Sequence, residues 1–145
     1  MFRFLESTVA DYMTASVKTA SRNMTMAELQ AQFEADDFNA YPVVENDDVI
    51  GVVSKFDFLK RFAFTPNSLV PPYETLMKQP VGDVMTTEFI YVSPATKLTR
   101  VLQLMTEHRL RSVPVIASER RLVGMIARED IMRALKDAVQ HMKWK

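Results

Sequence analysis

The sequence predicts an α/β fold of the α+β kind, built from one β-α-β-β-α unit used twice. Two observations carry this. A set of short motifs returns after 72 or 73 residues, and the apolar runs between them change period in the same order each time. Val9-Ala10-Asp11-Tyr12-Met13-Thr14 returns as Val81-Gly82-Asp83-Val84-Met85-Thr86, and Tyr41-Pro42-Val43-Val44 as Val113-Pro114-Val115-Ile116, both 72 residues on. Val49–Val53 returns as Leu122–Ile126 with Gly51 and Gly124 separated by 73, and Asp57 and Asp130 keep that spacing. The register therefore changes once, within Glu45–Asp48 or its partner Ala117–Arg121, where a polar turn tolerates an insertion.

In the first unit, Thr25 and Glu28 have the spacing of a capping box, and Met26, Leu29 and Phe33 follow as the inner face of a helix. Tyr41–Val44 and Val49–Val53 read as a hairpin, and Phe58, Leu59 and Phe62 as the apolar face of a second helix. In the second unit, Phe89-Ile90-Tyr91-Val92 is apolar, aromatic and β-branched, and Ser93-Pro94 closes it, which predicts an opening strand. Leu98, Val101, Leu102 and Met105 fall at helical spacing. Val113–Ile116 and Leu122–Ile126 form the second hairpin, and Ile131, Ala134, Leu135 and Ala138 the last helix. The organisation is then residues 1–63 as the first repeat, 64–80 as a connector, 81–140 as the second repeat and 141–145 as a tail that contains Trp144. The connector carries Pro66, Pro71, Pro72 and Pro80, with a helical pattern at Tyr73–Lys78. One unit of this size would struggle to bury its apolar faces alone.

Composition narrows the function. The chain has 145 residues, 48% hydrophobic and 25% charged, which fits a folded domain with a real core. It has no cysteine, so disulfides and thiolate metal sites are excluded and a reducing compartment fits. No apolar run approaches the roughly 20 residues that span a bilayer, and Met1–Ala10 carries Arg3 and Glu6 in place of a signal peptide's apolar stretch. The expectation is a cytoplasmic protein with no membrane association. The formal net charge is zero, yet residues 1–80 hold 7 Lys/Arg against 11 Asp/Glu and residues 81–145 hold 11 against 7. A basic second half suits an anionic ligand or the acidic half of another copy, and equally suits ordinary surface variation.

Catalytic signatures are missing. The histidines, His108 and His141, stand far apart with no acidic or thiol cluster at metal spacing. The glycines are Gly51, Gly82 and Gly124, so there is no phosphate-cradling glycine loop and no Gly-x-Ser-x-Gly elbow. We expect no enzyme, no catalytic residues, no metal and no cofactor. Nucleic-acid binding would have to use the basic half with Phe89 and Tyr91; the zero net charge and the expected burial of those aromatics in a strand argue against it.

Taken in order, the motifs resemble the CBS domain family. Its pattern of Met-Thr, Pro-Val-Val and Gly-Val-Val-Ser-x-x-Asp stands here as Met13-Thr14, Pro42-Val43-Val44 and Gly51-Val52-Val53-Ser54-Lys55-Phe56-Asp57. It stands again as Met85-Thr86, Pro114-Val115-Ile116 and Gly124-Met125-Ile126-Ala127-Arg128-Glu129-Asp130. The resemblance covers about residues 9–140. It implies two CBS repeats packed sheet to sheet about a pseudo-twofold axis, with clefts that take adenine nucleotides or adenosyl compounds: AMP, ADP, ATP or S-adenosylmethionine. It implies a regulatory role, a homodimer and an unidentified regulated protein.

The resemblance also implies the ligand residues. The Asp of Ser/Thr-x-x-Asp binds the ribose hydroxyls, and a carboxylate can accept two hydrogen bonds from a cis-diol. The residue three before the Pro contacts phosphate, and each cleft borrows the opening strand of the other repeat. The first cleft would use Asn39, Val52, Ser54 and Asp57 with Thr86, Phe89 and Ile90. The second would use Arg111, Met125 and Asp130 with Thr14, Val17 and Lys18. Arg111, as a fixed guanidinium fork, favours the second cleft for a phosphorylated ligand, although Ala127 replaces its hydroxyl. Ser54-x-x-Asp57 is equally the pattern of a helix cap. The alternative to a sensor is a structural dimerisation or partner-docking module with no small-molecule ligand.

Overall fold

A computed structural model of the chain describes residues 2–63 and 72–143, with side chains described through Gln140. Two compact units make it up: Lys18–Phe89, and Met1–Val17 together with Ile90–Lys145. The start of each sequence repeat thus belongs to the body of the other. The connector is described from Pro72 onward, and Pro66, Pro71 and Trp144 lie outside the described residues.

In the Lys18–Phe89 unit, Thr25 opens a helix, α3 (Met26–Ala35), preceded in the chain by α1 (Phe2–Glu6) and α2 (Val9–Tyr12) of the other unit. The expected capping box is present: the Thr25 Oγ1 accepts from the Glu28 N–H at 3.2 Å, and the Glu28 carboxylate accepts from the Thr25 N–H at 3.2 Å. Such a cap contributes about 1 kcal/mol. Met26, Leu29 and Phe33 are buried, as their spacing predicts. The strands β1 (Ala40–Glu45) and β2 (Asp48–Ser54) pair antiparallel. Their turn places Asn46 and Asp47 at φ 52° and 69°, the left-handed pair that a two-residue hairpin turn needs. Alternation along β2 sends Val49, Gly51 and Val53 inward. α4 (Lys55–Lys60) and α5 (Tyr73–Met77) follow, the latter falling on the predicted helical stretch of the connector. On α4 the expected apolar face is only partly used: Phe58 is half-buried and Leu59 is exposed. The core joins Met26, Leu29, Tyr41, Val43, Val53 and Val81.

The other unit repeats the plan with α6 (Leu98–His108), β3 (Ser112–Ile116), β4 (Leu122–Ala127) and α7 (Arg128–Lys143), and with α1 and α2. Leu98, Val101 and Met105 are buried on α6, while Leu102 is exposed. The single register change falls in this hairpin's turn. Residues 117–121 separate Ile116 from Leu122 with Glu119 and Arg120 at positive φ, where the first hairpin needs one residue fewer. Both hairpins carry an irregularity at matching places, after Val43 and after Val115.

The opening strand expected at Phe89–Val92 is a correction. Only Val92 exchanges backbone bonds with β3, its N–H to the Pro114 carbonyl at 3.1 Å and its carbonyl from the Ile116 N–H at 2.8 Å. Ser93 then turns the chain with its N–H bonded to the Thr96 Oγ1 at 3.0 Å, so pairing stops after one residue. Ala20 makes the matching single bridge to Val43 in the first unit. Tyr91 is 58% exposed, so the argument against nucleic acid from buried aromatics does not hold, and the zero net charge alone remains. Among the described residues no helix is long and apolar enough to cross a membrane.

Candidate functional site

Each hairpin ends at a buried aspartate in the first turn of the following helix. β2 runs into α4, and Asp57 is 6% exposed; β4 runs into α7, and Asp130 is 7% exposed. A carboxylate is buried only when hydrogen bonds replace its water, and the two are supplied differently.

Around Asp57 the helix-cap role anticipated for Ser54-x-x-Asp57 is present. The Asp57 Oδ2 accepts from the Ser54 N–H at 2.9 Å and from the Ser54 hydroxyl at 3.0 Å, while the Asp57 N–H donates to the Ser54 Oγ at 3.0 Å. That is a full capping box on α4. The Oδ1 accepts from the Thr86 hydroxyl at 3.2 Å and forms an ion pair with the Lys60 ammonium at 3.2 Å. Thr86 is held in place by two backbone bonds with Val52, each 2.9 Å. Asn39 joins the group through its carbonyl, which accepts from the Lys55 N–H at 2.9 Å at the start of α4. Phe89 stands three residues beyond Thr86, half-buried in the same unit; Ile90 belongs to the other.

Around Asp130 the frame is the same and the filling sparser. Met125 and Thr14 exchange two backbone bonds of 2.9 Å, the counterpart of Val52 and Thr86. The Arg111 carbonyl accepts from the Arg128 N–H at 3.0 Å, the counterpart of Asn39 and Lys55, so the exposed Arg111 stands beside the start of α7. The Asp130 Oδ2 accepts from the Ala127 N–H at 2.8 Å, and its Oδ1 from the Arg133 guanidinium at 3.2 Å. Val17 lies in this unit and is half-buried. Lys18 lies in the other, where it pairs with Asp36. That pairing and the Tyr41 hydroxyl hold the Asp36 carboxyl below its usual range.

Two glycines make these frames possible. A Cβ on Gly124 would sit 2.7 Å from the Thr14 carbonyl oxygen, and one on Gly51 would sit 2.9 Å from that of Thr86. The bridging backbones can approach only because no side chain intervenes.

Sequence reasoning missed Lys60 and Arg133. Both stand three residues after the aspartate and 73 residues apart, so the repeat offset together with i,i+3 helix geometry would have found them. Cavities of about 530 Å³, lined by residues such as Arg3, Asp11 and Tyr12, and about 350 Å³, lined by residues such as Phe33 and Phe58, have neither aspartate in their lining. Among the described residues no three His, Asp or Glu side chains converge as metal ligands would.

A doubled hairpin whose exit strand delivers an aspartate to a helix start, bridged by a Met-Thr segment, is a family arrangement. The CBS domain model matches residues 9–63 and again 81–137. The chain belongs to the CBS domain family. A relative is the CBS domain-containing protein YhcV of Bacillus subtilis, 30% identical over 125 residues that cover 86% of this chain and 83% of that one. Among solved CBS pairs, the AcuB protein of Vibrio cholerae has a TM-score of 0.81 at 25% identity, covering 97% of this chain and 98% of that chain. CBSX2 of Arabidopsis thaliana, solved in complex with AMP, has a TM-score of 0.78 at 25% identity, covering 90% of this chain and 97% of that chain. The mixed fold with two small antiparallel sheets is thus that of CBS pairs.

Proposed function

We propose that this CBS pair is a regulatory ligand sensor of the cytoplasm. It binds an adenine nucleotide or another adenosyl compound, with the ribose hydroxyls on Asp130 and phosphate near Arg111. The observation that carries the reading is the Asp130 carboxylate: buried, pinned by the Ala127 N–H, and bordered by the Thr14–Met125 bridge. A pinned carboxylate meets a cis-diol without reorganising. α7 runs 16 residues against the six of α4, and its start adjoins Arg111. The AMP complex of CBSX2 supports adenosyl chemistry in a relative of the same fold. To regulate anything, the ligand must favour one arrangement of the chain over another.

Titration calorimetry with AMP, ATP and S-adenosylmethionine on wild type, Arg111→Ala and Asp130→Asn tests this. Binding that weakens for the phosphorylated ligands in Arg111→Ala, and for all ligands in Asp130→Asn, supports the reading. No heat from any of the three overturns it.

A second reading has its own observation. Phe56 and Leu59 on α4, and Met132 on α7, are large apolar side chains left exposed. A dimerisation or docking module, as a homodimer or on a regulated protein, would cover them. Sedimentation of the full chain and of Phe56→Ser with Leu59→Ser distinguishes the two readings: a dimer lost in the double variant, with no ligand heat, favours the second.

A further inference from the structure

We propose that Thr86 holds, on Asp57, an acceptor position that a ribose hydroxyl needs, so that the Asp130 site fills first and the chain itself keeps the Asp57 site at low affinity. The inference rests on the adenosyl-binding reading above and concerns how the two sites are ranked.

An ionised carboxylate offers about four acceptor positions. At Asp57 three are used by hydrogen bonds within the chain, from the Ser54 N–H, the Ser54 hydroxyl and the Thr86 hydroxyl, and the Lys60 ammonium forms an ion pair with the Oδ1. At Asp130, among the described residues, two are used: by the Ala127 N–H and the Arg133 guanidinium. The difference has two causes in the sequence. Ala127 has no hydroxyl to match that of Ser54. Thr14, in the place of Thr86, makes no side-chain bond to Asp130 among the described residues. The residue that looks like a loss against the family pattern is the one that leaves Asp130 open to a diol.

Of the three donors on Asp57, two belong to the cap, and the ion pair with the half-exposed Lys60 gives way readily. Thr86 is different. Its backbone is fixed to Val52 by two bonds, so its hydroxyl stays within reach of the carboxylate as a tethered competitor and refills the position without an ordering cost. A diol donating two hydrogen bonds finds one open position on Asp57, beside the Lys60 ammonium, and must displace Thr86 for the other. At Asp130 it displaces neither partner.

The test is titration calorimetry with AMP in the Asp130→Asn background, which isolates the Asp57 site, with Asp57→Asn as the control that removes it. Thr86→Val keeps the shape and deletes the hydroxyl; Thr86→Ser keeps the hydroxyl. In that background Thr86→Val is expected to tighten AMP binding about fivefold or more, the factor that one ordinary hydrogen bond represents, while Thr86→Ser stays at the parental value. Unchanged or weaker binding in Thr86→Val overturns the inference, as does a wild type that binds AMP with equal affinity at both aspartates. A wild type that takes up no AMP, ATP or S-adenosylmethionine at either aspartate overturns the adenosyl reading itself. Wild-type heat lost in Asp130→Asn, with no gain from Thr86→Val, overturns this inference alone.

Discussion

Tyr12 donates its hydroxyl to the Asp137 carboxylate at 2.8 Å, across 125 residues of sequence. The Arg133 guanidinium lies 5.4 Å from the centre of the same ring and donates to the Tyr12 carbonyl at 3.0 Å. One tyrosine on a four-residue helix is thereby fastened at both ends to α7, beside the buried Val9 of the same helix. Tyr12→Phe keeps the ring and loses the hydroxyl bond. We expect it to lower the unfolding free energy by about 1 kcal/mol, read from the midpoint of urea unfolding at constant slope.

The tyrosines also set a limit at high pH. Burial, and then the bond to Asp137, pushes the Tyr12 hydroxyl above its ordinary value of 10.0. Burial, and then the Asp36 carboxylate, pushes Tyr41 well above it. Both groups stay neutral in the folded chain at pH values where the unfolded chain ionises. Their stabilisation is therefore complete below pH 10 and is lost as pH rises beyond it. Urea midpoints are expected to fall from pH 10 upward, and less steeply in Tyr41→Phe. Asp36 works in the opposite sense. Its carboxyl is depressed by the Lys18 hydrogen bond first and the Tyr41 hydroxyl second, from an ordinary 3.8. Its contribution is present above that value and fades as pH falls through the lower folded one. Lys18→Met is expected to flatten the acid limb of the same profile.

The glycine frames predict an asymmetry between backbone and side-chain tolerance. A Cβ on Gly124 meets a backbone oxygen at 2.7 Å, and its other neighbours are flexible Met13 atoms at 3.0 and 3.4 Å. The carbonyl cannot swing aside without breaking the Met125 bond to it. Gly124→Ala is expected to cost about 1–3 kcal/mol, the range of an overpacked core site, measured by thermal unfolding. Met13→Ala in the same background is expected to recover little of it, because the obstacle is backbone.

Much of this architecture is legible in the residues. The 72-residue echo of Tyr41–Val44 and the capping spacing of Thr25 and Glu28 find the hairpins and α3, because periodicity and caps are local physics. Phe89–Val92 fails for a complementary reason: a β-prone run becomes a strand only if a partner edge continues beside it, and here the partner bonds stop at Val92. At the candidate site, the aspartates and their Met-Thr bridges are readable by register. The number of donors on each carboxylate is not, since Thr86 reaches Asp57 from 29 residues away through a tertiary contact. Tyr91 is the same lesson in burial, since its place in an apolar run does not keep it from being exposed.

Ala127→Ser separates the cap from the ligand. A serine there copies Ser54, whose hydroxyl both accepts from the N–H of the aspartate three residues on and donates to its carboxylate. The acceptor half completes the cap on α7 and is expected to raise stability by about 0.5–2 kcal/mol, with Ser54→Ala losing a similar amount on α4. The donor half fills one of the open positions on the Asp130 Oδ2, which then accepts from two groups as Asp57 does. The variant is therefore expected to melt higher and to bind AMP less tightly, by a few-fold, in the same calorimetric titration. Stability and affinity moving in opposite directions is the signature of acceptor occupancy. If both rise together, the hydroxyl reaches the ligand directly, and the number of open acceptor positions is not what ranks the two sites.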